Sequence, residues 1–111
     1  MEIIVLGITG PLFIVLGWYF AKFPPKKINH FYGYRTSRSM KSQEAWDFAQ
    51  VYGAKKMVWA GWVMLAVGVM MFPLPFSENV KAVLSVVTTV SVSVWMIVVT
   101  EKALKNKFKD A

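Results

Sequence analysis

Residues 82–100 read AVLSVVTTVSVSVWMIVVT, nineteen residues without a charge. In water so many β-branched residues would suit a strand. In a bilayer an open strand leaves its backbone groups unpaired, whereas a helix satisfies them within the segment. A helix rising about 1.5 Å per residue needs about 20 mostly apolar residues to cross a ~30 Å hydrocarbon core. The stretch meets that requirement, so it is expected to be a transmembrane helix.

Two other stretches have the same character. Residues 3–21, IIVLGITGPLFIVLGWYFA, are nineteen uncharged residues. Residues 57–72, MVWAGWVMLAVGVMMF, continue through Pro73-Leu74-Pro75-Phe76 to give a span of about 57–76. The expected fold is therefore all-α, a single membrane domain over residues 1–111. It has spans at about 3–21, 57–76 and 82–100, and a loop at 22–56. Composition agrees: of 111 residues, 56% are hydrophobic and 17% charged, against roughly 45–50% and about 25% in soluble domains. A soluble bundle of three buried helices would need more polar surface than this chain carries.

Charge distribution sets the expected orientation. Lys and Arg number 13 against six acids, for a net charge of +7. Lys22, Lys26, Lys27, Arg35, Arg38, Lys41, Lys55 and Lys56 lie between the first two spans. Lys102, Lys105, Lys107 and Lys109 follow the third, while the second connection holds only Lys81. The positive-inside rule then puts the loop and the tail in the cytoplasm, with the N-terminus outside. The first span lacks a basic flank and a small-residue cleavage site, so it is expected to be a retained anchor in the cell membrane. Basic residues beside spans are also drawn to anionic lipid headgroups, which makes the bilayer the expected partner and leaves nucleic acid without support.

Composition also restricts chemistry. There is no Cys and a single His, which removes disulfides, thiolate metal sites and a Cys nucleophile. No paired-carboxylate, nucleophile–base or phosphate-cradling pattern is present. No enzymatic activity, metal or cofactor is expected.

The loop carries the sequence that is specified beyond hydropathy. Phe23-Pro24-Pro25 ends the first helix, because the residue before a proline is pushed out of the α region. The run Phe31-Tyr32-Gly33-Tyr34-Arg35-Thr36-Ser37-Arg38-Ser39-Met40-Lys41 follows, with Gly33 marking a turn or a close backbone approach. A short amphipathic helix is expected from Ser42, with Ser42 or Ser39 as its N-cap. At about 100° per residue, Ala45, Phe48, Ala49 and Tyr52 share one face with Trp46 beside it, and Glu44, Asp47, Gln50 and Lys55 face away. This cytoplasmic helix is expected to lie in the membrane interface, anchored by Trp46.

Asn29, then Tyr32-Gly33-Tyr34-Arg35-Thr36, then Ser39-Met40-Lys41 and Trp46 with Phe48-Ala49 behind it, resemble the signature of the SdpI family. These bacterial membrane proteins are named for an immunity protein against a secreted toxic peptide. The founding member is longer and carries further spans ahead of this region, and Gln50 stands where the family pattern carries Asn. The resemblance implies protection against an antimicrobial peptide as the function. It makes the toxic peptide a candidate ligand and a cytosolic repressor a candidate partner.

Asn29, Gly33, Tyr34, Arg35, Thr36, Ser39 and Trp46 are accordingly the candidate functional residues. Arg35 could clamp a phosphate, a carboxylate or a helix C-terminus, or serve only as a topology charge against a headgroup. His30 could sense pH, but an interfacial hydrogen bond is the plainer role. Glu44 and Asp47 suit helix-end electrostatics. Ser85, Thr89 and Ser93 share a face, where hydroxyls usually bond back to their own helix. Glycines 7, 10, 17, 61 and 68 allow close helix approach without an intact dimer motif, and three thin spans invite self-association into a homo-oligomer. Two rival functions remain open. One is a signalling anchor that recruits a cytosolic regulator. The other is a small transporter or lipid-handling protein, although no span contains the ionisable group such proteins usually need.

Overall fold

The computed structural model describes residues 2–29 and 33–108, with side chains from Leu6 onward. Three helices follow in chain order: α1 (Glu2–Lys22), α2 (Gln43–Met71) and α3 (Glu78–Lys107). No strand occurs among the described residues. α2 and α3 are each long and apolar enough to cross a membrane, and the apolar stretch Leu6–Lys22 of α1 is shorter. The bundle is elongated, 50 × 24 × 20 Å.

Local sequence accounts for the ends of the helices. Ser42 caps α2, its side chain accepting from the Ala45 amide, and Ser77 caps α3 by accepting from Val80 N. Each satisfies an orphan donor of the first turn. Of the two caps expected for α2, the structure uses Ser42. Pro73 and Pro75 stand in the short turn between α2 and α3. The second apolar stretch therefore ends as a helix at Met71 instead of continuing to residue 76, since proline cannot extend the backbone ladder.

A second correction concerns the amphipathic segment. It is not a separate interfacial helix: residues 43–52 form the first turns of α2, which runs on through the second apolar stretch for 29 residues. Nothing between Tyr52 and Met57 breaks a helix, and Gly53 alone only weakens one.

α1 and α2 share the most extensive interface of the three pairs. Their seam is built on small residues. A Cβ on Gly61 would lie 2.6 Å from the Gly10 carbonyl oxygen, and one on Gly17 would lie 2.7 Å from the Ala54 carbonyl oxygen. Both contacts are with backbone, so the two helices touch main chain to main chain. Where lipid removes any hydrophobic drive between helices, such close packing is what holds them together.

Ahead of Thr100 α3 is loosely held. Its buried residues are Ser85, Thr100 and Leu104, while Val83, Val86, Val87, Val90, Val94, Trp95, Ile97 and Val98 are exposed. Ser85, Thr88 and Thr89 donate to the carbonyls of Lys81, Leu84 and Ser85 at 2.7–2.9 Å, the back-bonding expected of hydroxyls in a helix. The C-terminal end of α3 is the firmer one: Leu104 packs with Ala45 and Ala49, backed by Tyr34, Phe48 and Phe108. The expected apolar face of the amphipathic segment thus meets α3. Glu44, Asp47 and Lys55 are exposed as anticipated.

Candidate functional site

The loop between α1 and α2 crosses the end of the bundle where α2 begins and α3 ends. Pro24 and Pro25 turn the chain out of α1, and Pro25 presents its carbonyl oxygen to α2. Trp46 Nε1 donates to that oxygen at 2.8 Å, and the indole is fully buried. Trp46 is therefore not the interfacial anchor expected from the sequence. The reason is its hydrogen bond: an indole can leave the polar interface once its N–H has a partner. Gln43 Nε2 adds a surface tie to the Lys26 carbonyl at 2.7 Å.

Gln50, one turn beyond Trp46 on the same side, holds the loop's centre. Its Oε1 accepts from Tyr34 N, and its Nε2 donates to Tyr34 O, each at 2.7 Å. The amide thus copies the pairing of a neighbouring strand. Gln50 is 3% exposed, which corrects the expectation that it faces away from the buried side. Helical period alone assigns that position to solvent, and the loop covers that face of α2.

Gly33 has φ +103°, in the left-handed region that disfavours side chains. A Cβ there would stand 2.6 Å from Gln50 Oε1 and 2.9 Å from Pro25 Cγ. Glycine is thus required twice, by its backbone angle and by the approach of the Gln50 amide.

Downstream, the loop closes on itself and on α3. Ser39 is fully buried, and its Oγ accepts from Thr36 N at 2.8 Å. The same hydroxyl lies 3.1 Å from Tyr34 O and 3.0 Å from Thr36 O, the two carbonyls open to its proton. Thr36 Oγ1 accepts from Ser39 N at 3.2 Å and donates to Glu101 Oε2 at 3.0 Å. Tyr34 Oη donates to the same carboxylate oxygen at 2.8 Å. Arg38 Nε lies 3.9 Å from Glu101 Oε1. One α3 carboxylate therefore gathers three residues of the loop.

Burial pushes the Tyr34 phenol above its ordinary pKa. The bond to Glu101 and that group's negative charge push the same way, and a bond with Thr36 opposes them. A phenol so held stays protonated and donates to Glu101.

Of the candidate residues, Gly33, Tyr34, Thr36, Ser39 and Trp46 come together in this clamp. Asn29 stands at its edge, its Nδ2 donating to Lys27 O at 2.9 Å. Arg35 is exposed, one residue past the clamped Tyr34. His30 lies outside the described residues. Gln50 and Glu101 were not among the candidates, although they make the long-range bonds. The available signal for Glu101 was its position, a lone acid at the end of an apolar stretch among Lys102, Lys105 and Lys107.

The basic end is organised around aromatic rings: Lys22 Nζ lies 5.2 Å from the Trp18 ring centre, Lys56 5.1 Å from Tyr52 and Lys107 4.6 Å from Phe48. Beneath Tyr34 a cavity of about 230 Å³ opens between the loop and all three helices. Among the described residues no cluster of three His, Asp or Glu side chains is present to hold a metal.

The geometry defines a small helical protein with two membrane-length helices and a polar segment, Gly33 to Ser39, pinned across their adjoining ends. The chain belongs to the SdpI/YfhL protein family, whose model matches residues 26–100 and so takes in the loop, α2 and most of α3. An uncharacterized protein YfhL of Bacillus subtilis (strain 168) is 36% identical over 98 residues, covering 88% of this chain and 84% of that relative. No solved structure matches.

Proposed function

We propose that the chain is an integral membrane immunity protein that protects its cell against a secreted antimicrobial peptide. Three observations support this. The family is shown by the match over residues 26–100. Two helices have membrane length and composition, and the exposed apolar surface of α3 suits lipid. The observation that carries the reading is the clamp itself. Tyr34, Thr36 and Ser39 of the family-like motif are hydrogen-bonded to one another, with Tyr34 tied to Gln50 and both Tyr34 and Thr36 to Glu101. A buried polar network of this kind fixes one loop conformation, as recognition at a membrane boundary requires.

In this reading all three helices span the cell membrane, with the N-terminus outside and the loop and C-terminal tail in the cytoplasm. The single-sided distribution of Lys and Arg supports that orientation. The rigid loop would present Arg35 and its neighbours to the toxic peptide or to what the peptide damages, with no catalytic step.

The test is survival of sensitive bacteria exposed to the secreted toxic peptide. Cells carrying the wild-type chain survive, cells with empty vector die, and Arg35→Ala at equal membrane abundance loses protection. Failure of the wild type to protect would sink the immunity reading, and full protection by Arg35→Ala would remove that side chain from the mechanism.

A second reading, a signalling anchor for a cytosolic repressor, is favoured by the exposed Lys26, Lys27, Arg35 and Lys41 around the clamp. A repressor that co-purifies with membranes only when the chain and toxin are both present would support it.

A further inference from the structure

Hydroxyls on α3 mostly bond back to their own helix: Ser85, Thr88, Thr89 and Thr100 each donate to the carbonyl four residues earlier, at 2.7–2.9 Å. Ser91 and Ser93 make no hydrogen bond among the described residues, and neither does the indole N–H of Trp95. Ser93 is half-buried, whereas Ser91 and Trp95 are exposed, Trp95 by 42%. Ser91 is the central residue of the uncharged stretch 82–100, so in the membrane reading its hydroxyl lies near the bilayer midplane. Trp95 stands six residues before Glu101, ~9 Å in from that charged end along the helix axis. Its ring leans toward the helix N-terminus and so deeper still. That separates it from tryptophans that hold their N–H among the headgroups. An indole N–H is a donor only, and hydrocarbon offers it no acceptor.

The two polar groups lie on one stripe. Leu84, Thr88, Ser91, Trp95 and Val98 follow one another at alternating steps of four and three residues, the spacing of a seam between parallel helices. Leu84, Ser91, Trp95 and Val98 are exposed and Thr88 is half-buried, so neither α1 nor α2 covers the stripe. In lipid, aliphatic contact alone does not draw helices together; hydrogen bonds and close packing do. Whatever covers the stripe must bring an acceptor to Trp95 at this depth, which acyl tails lack. The stripe carries one itself. The Ser91 hydroxyl keeps acceptor lone pairs whichever carbonyl takes its proton, and the Trp95 ring covers the turn before its own Cα, the level of Ser91. Two copies in one membrane share one orientation, so their α3 helices run parallel. A two-fold axis along the membrane normal then brings the same stripe of each copy into contact. We propose that the chain forms a parallel homodimer through α3, in which Trp95 Nε1 of each copy donates to Ser91 Oγ of the other. The dimer rests on the membrane location and is independent of the immunity role.

Disulfide cross-linking in membranes tests it, because the chain has no Cys of its own. The full chain is expressed with one substitution, either Leu84→Cys or Val98→Cys on the stripe, or Val86→Cys or Val90→Cys elsewhere on the exposed surface of α3. Isolated membranes are treated with a mild oxidant. Leu84→Cys and Val98→Cys form covalent dimers several-fold more than Val86→Cys and Val90→Cys. In the Val98→Cys background, Trp95→Phe keeps an aromatic ring, removes the donor and lowers the dimer yield several-fold. Ser91→Ala lowers it likewise, while Ser91→Thr, which keeps the hydroxyl, retains it and controls for misfolding. Equal cross-linking at all four positions, stronger cross-linking at Val86→Cys or Val90→Cys, or no dimer at any of them overturns the homodimer through this stripe. A yield unmoved by Trp95→Phe or by Ser91→Ala, or lost in Ser91→Thr, overturns the bond between Trp95 and Ser91. Release of the chain from membranes by alkaline carbonate overturns the membrane location itself, an outcome distinct from a retained chain that fails to cross-link.

Discussion

The side-chain amide of Gln50 closes both backbone groups of Tyr34, accepting from its N–H and donating to its carbonyl at 2.7 Å each. These two residues are sixteen positions apart, and the pair converts a glycine-containing loop into a fixed element of the bundle. A net hydrogen bond contributes about 1 kcal/mol, but leaving a buried partner unpaired costs about 1–3 kcal/mol.

Gln50→Leu removes both bonds while keeping a similar volume. It is expected to destabilise the protein by about 2–4 kcal/mol, the cost of two unpaired backbone groups at partial burial. Thermal or denaturant unfolding in detergent measures the loss. Amide exchange at Tyr34 should quicken, and an unchanged Tyr34 exchange rate would show that the clamp does not hold the loop.

The Tyr34 phenol adds a pH signature. Its pKa is raised on folding, by burial first and by Glu101 second, so the folded chain binds this proton more tightly than the unfolded chain does. The contribution to stability is complete below the unfolded value of about 10 and is lost as pH rises beyond it. Wild type should therefore lose stability more steeply above about pH 10 than Tyr34→Phe, which has no such proton. Parallel stability curves for the two proteins across that range would contradict the assignment.

Two glycine substitutions should separate contact from helix propensity. Gly61→Ala places a methyl 2.6 Å from the Gly10 carbonyl oxygen, forces α1 and α2 apart, and is expected to cost about 1–3 kcal/mol. Gly7→Ala meets nothing within 4 Å and should be neutral or stabilise the helix by up to about 1 kcal/mol. Unfolding midpoints of the two variants check the contrast.

Orientation is open to direct labelling because the chain has no Cys. Leu74→Cys in the α2–α3 turn should react with an impermeant maleimide in intact cells. Ser37→Cys in the loop should react only after the membrane is permeabilised. The reverse pattern would invert the topology.

Hydropathy made the helices legible because an uncharged stretch of membrane length has few alternatives, and Ser42 with Ser77 marked two helix starts locally. The motif from Gly33 to Ser39 was also legible. Its partners were not: Gln50 and Glu101 bond to residues 16 to 67 positions away, and no local pattern encodes that pairing. Helical period placed Gln50 opposite the apolar face because it describes one buried side. The start of α2 buries two, Ala45 and Ala49 toward α3 and Trp46 and Gln50 toward the loop. Trp46 belongs to that second face, and its acceptor is a carbonyl freed by a proline turn 21 residues earlier. Pro73 and Pro75 are a stop signal set among apolar residues, so hydropathy alone extends the second span to residue 76 while the helix ends at Met71.

The most direct test joins the clamp to protection. Glu101→Gln keeps the shape of the α3 carboxylate but removes the charge that gathers Tyr34, Thr36 and Arg38. At equal membrane abundance, toxin survival of cells expressing Glu101→Gln should fall toward that of empty vector while wild type protects. Full protection by Glu101→Gln would contradict the account.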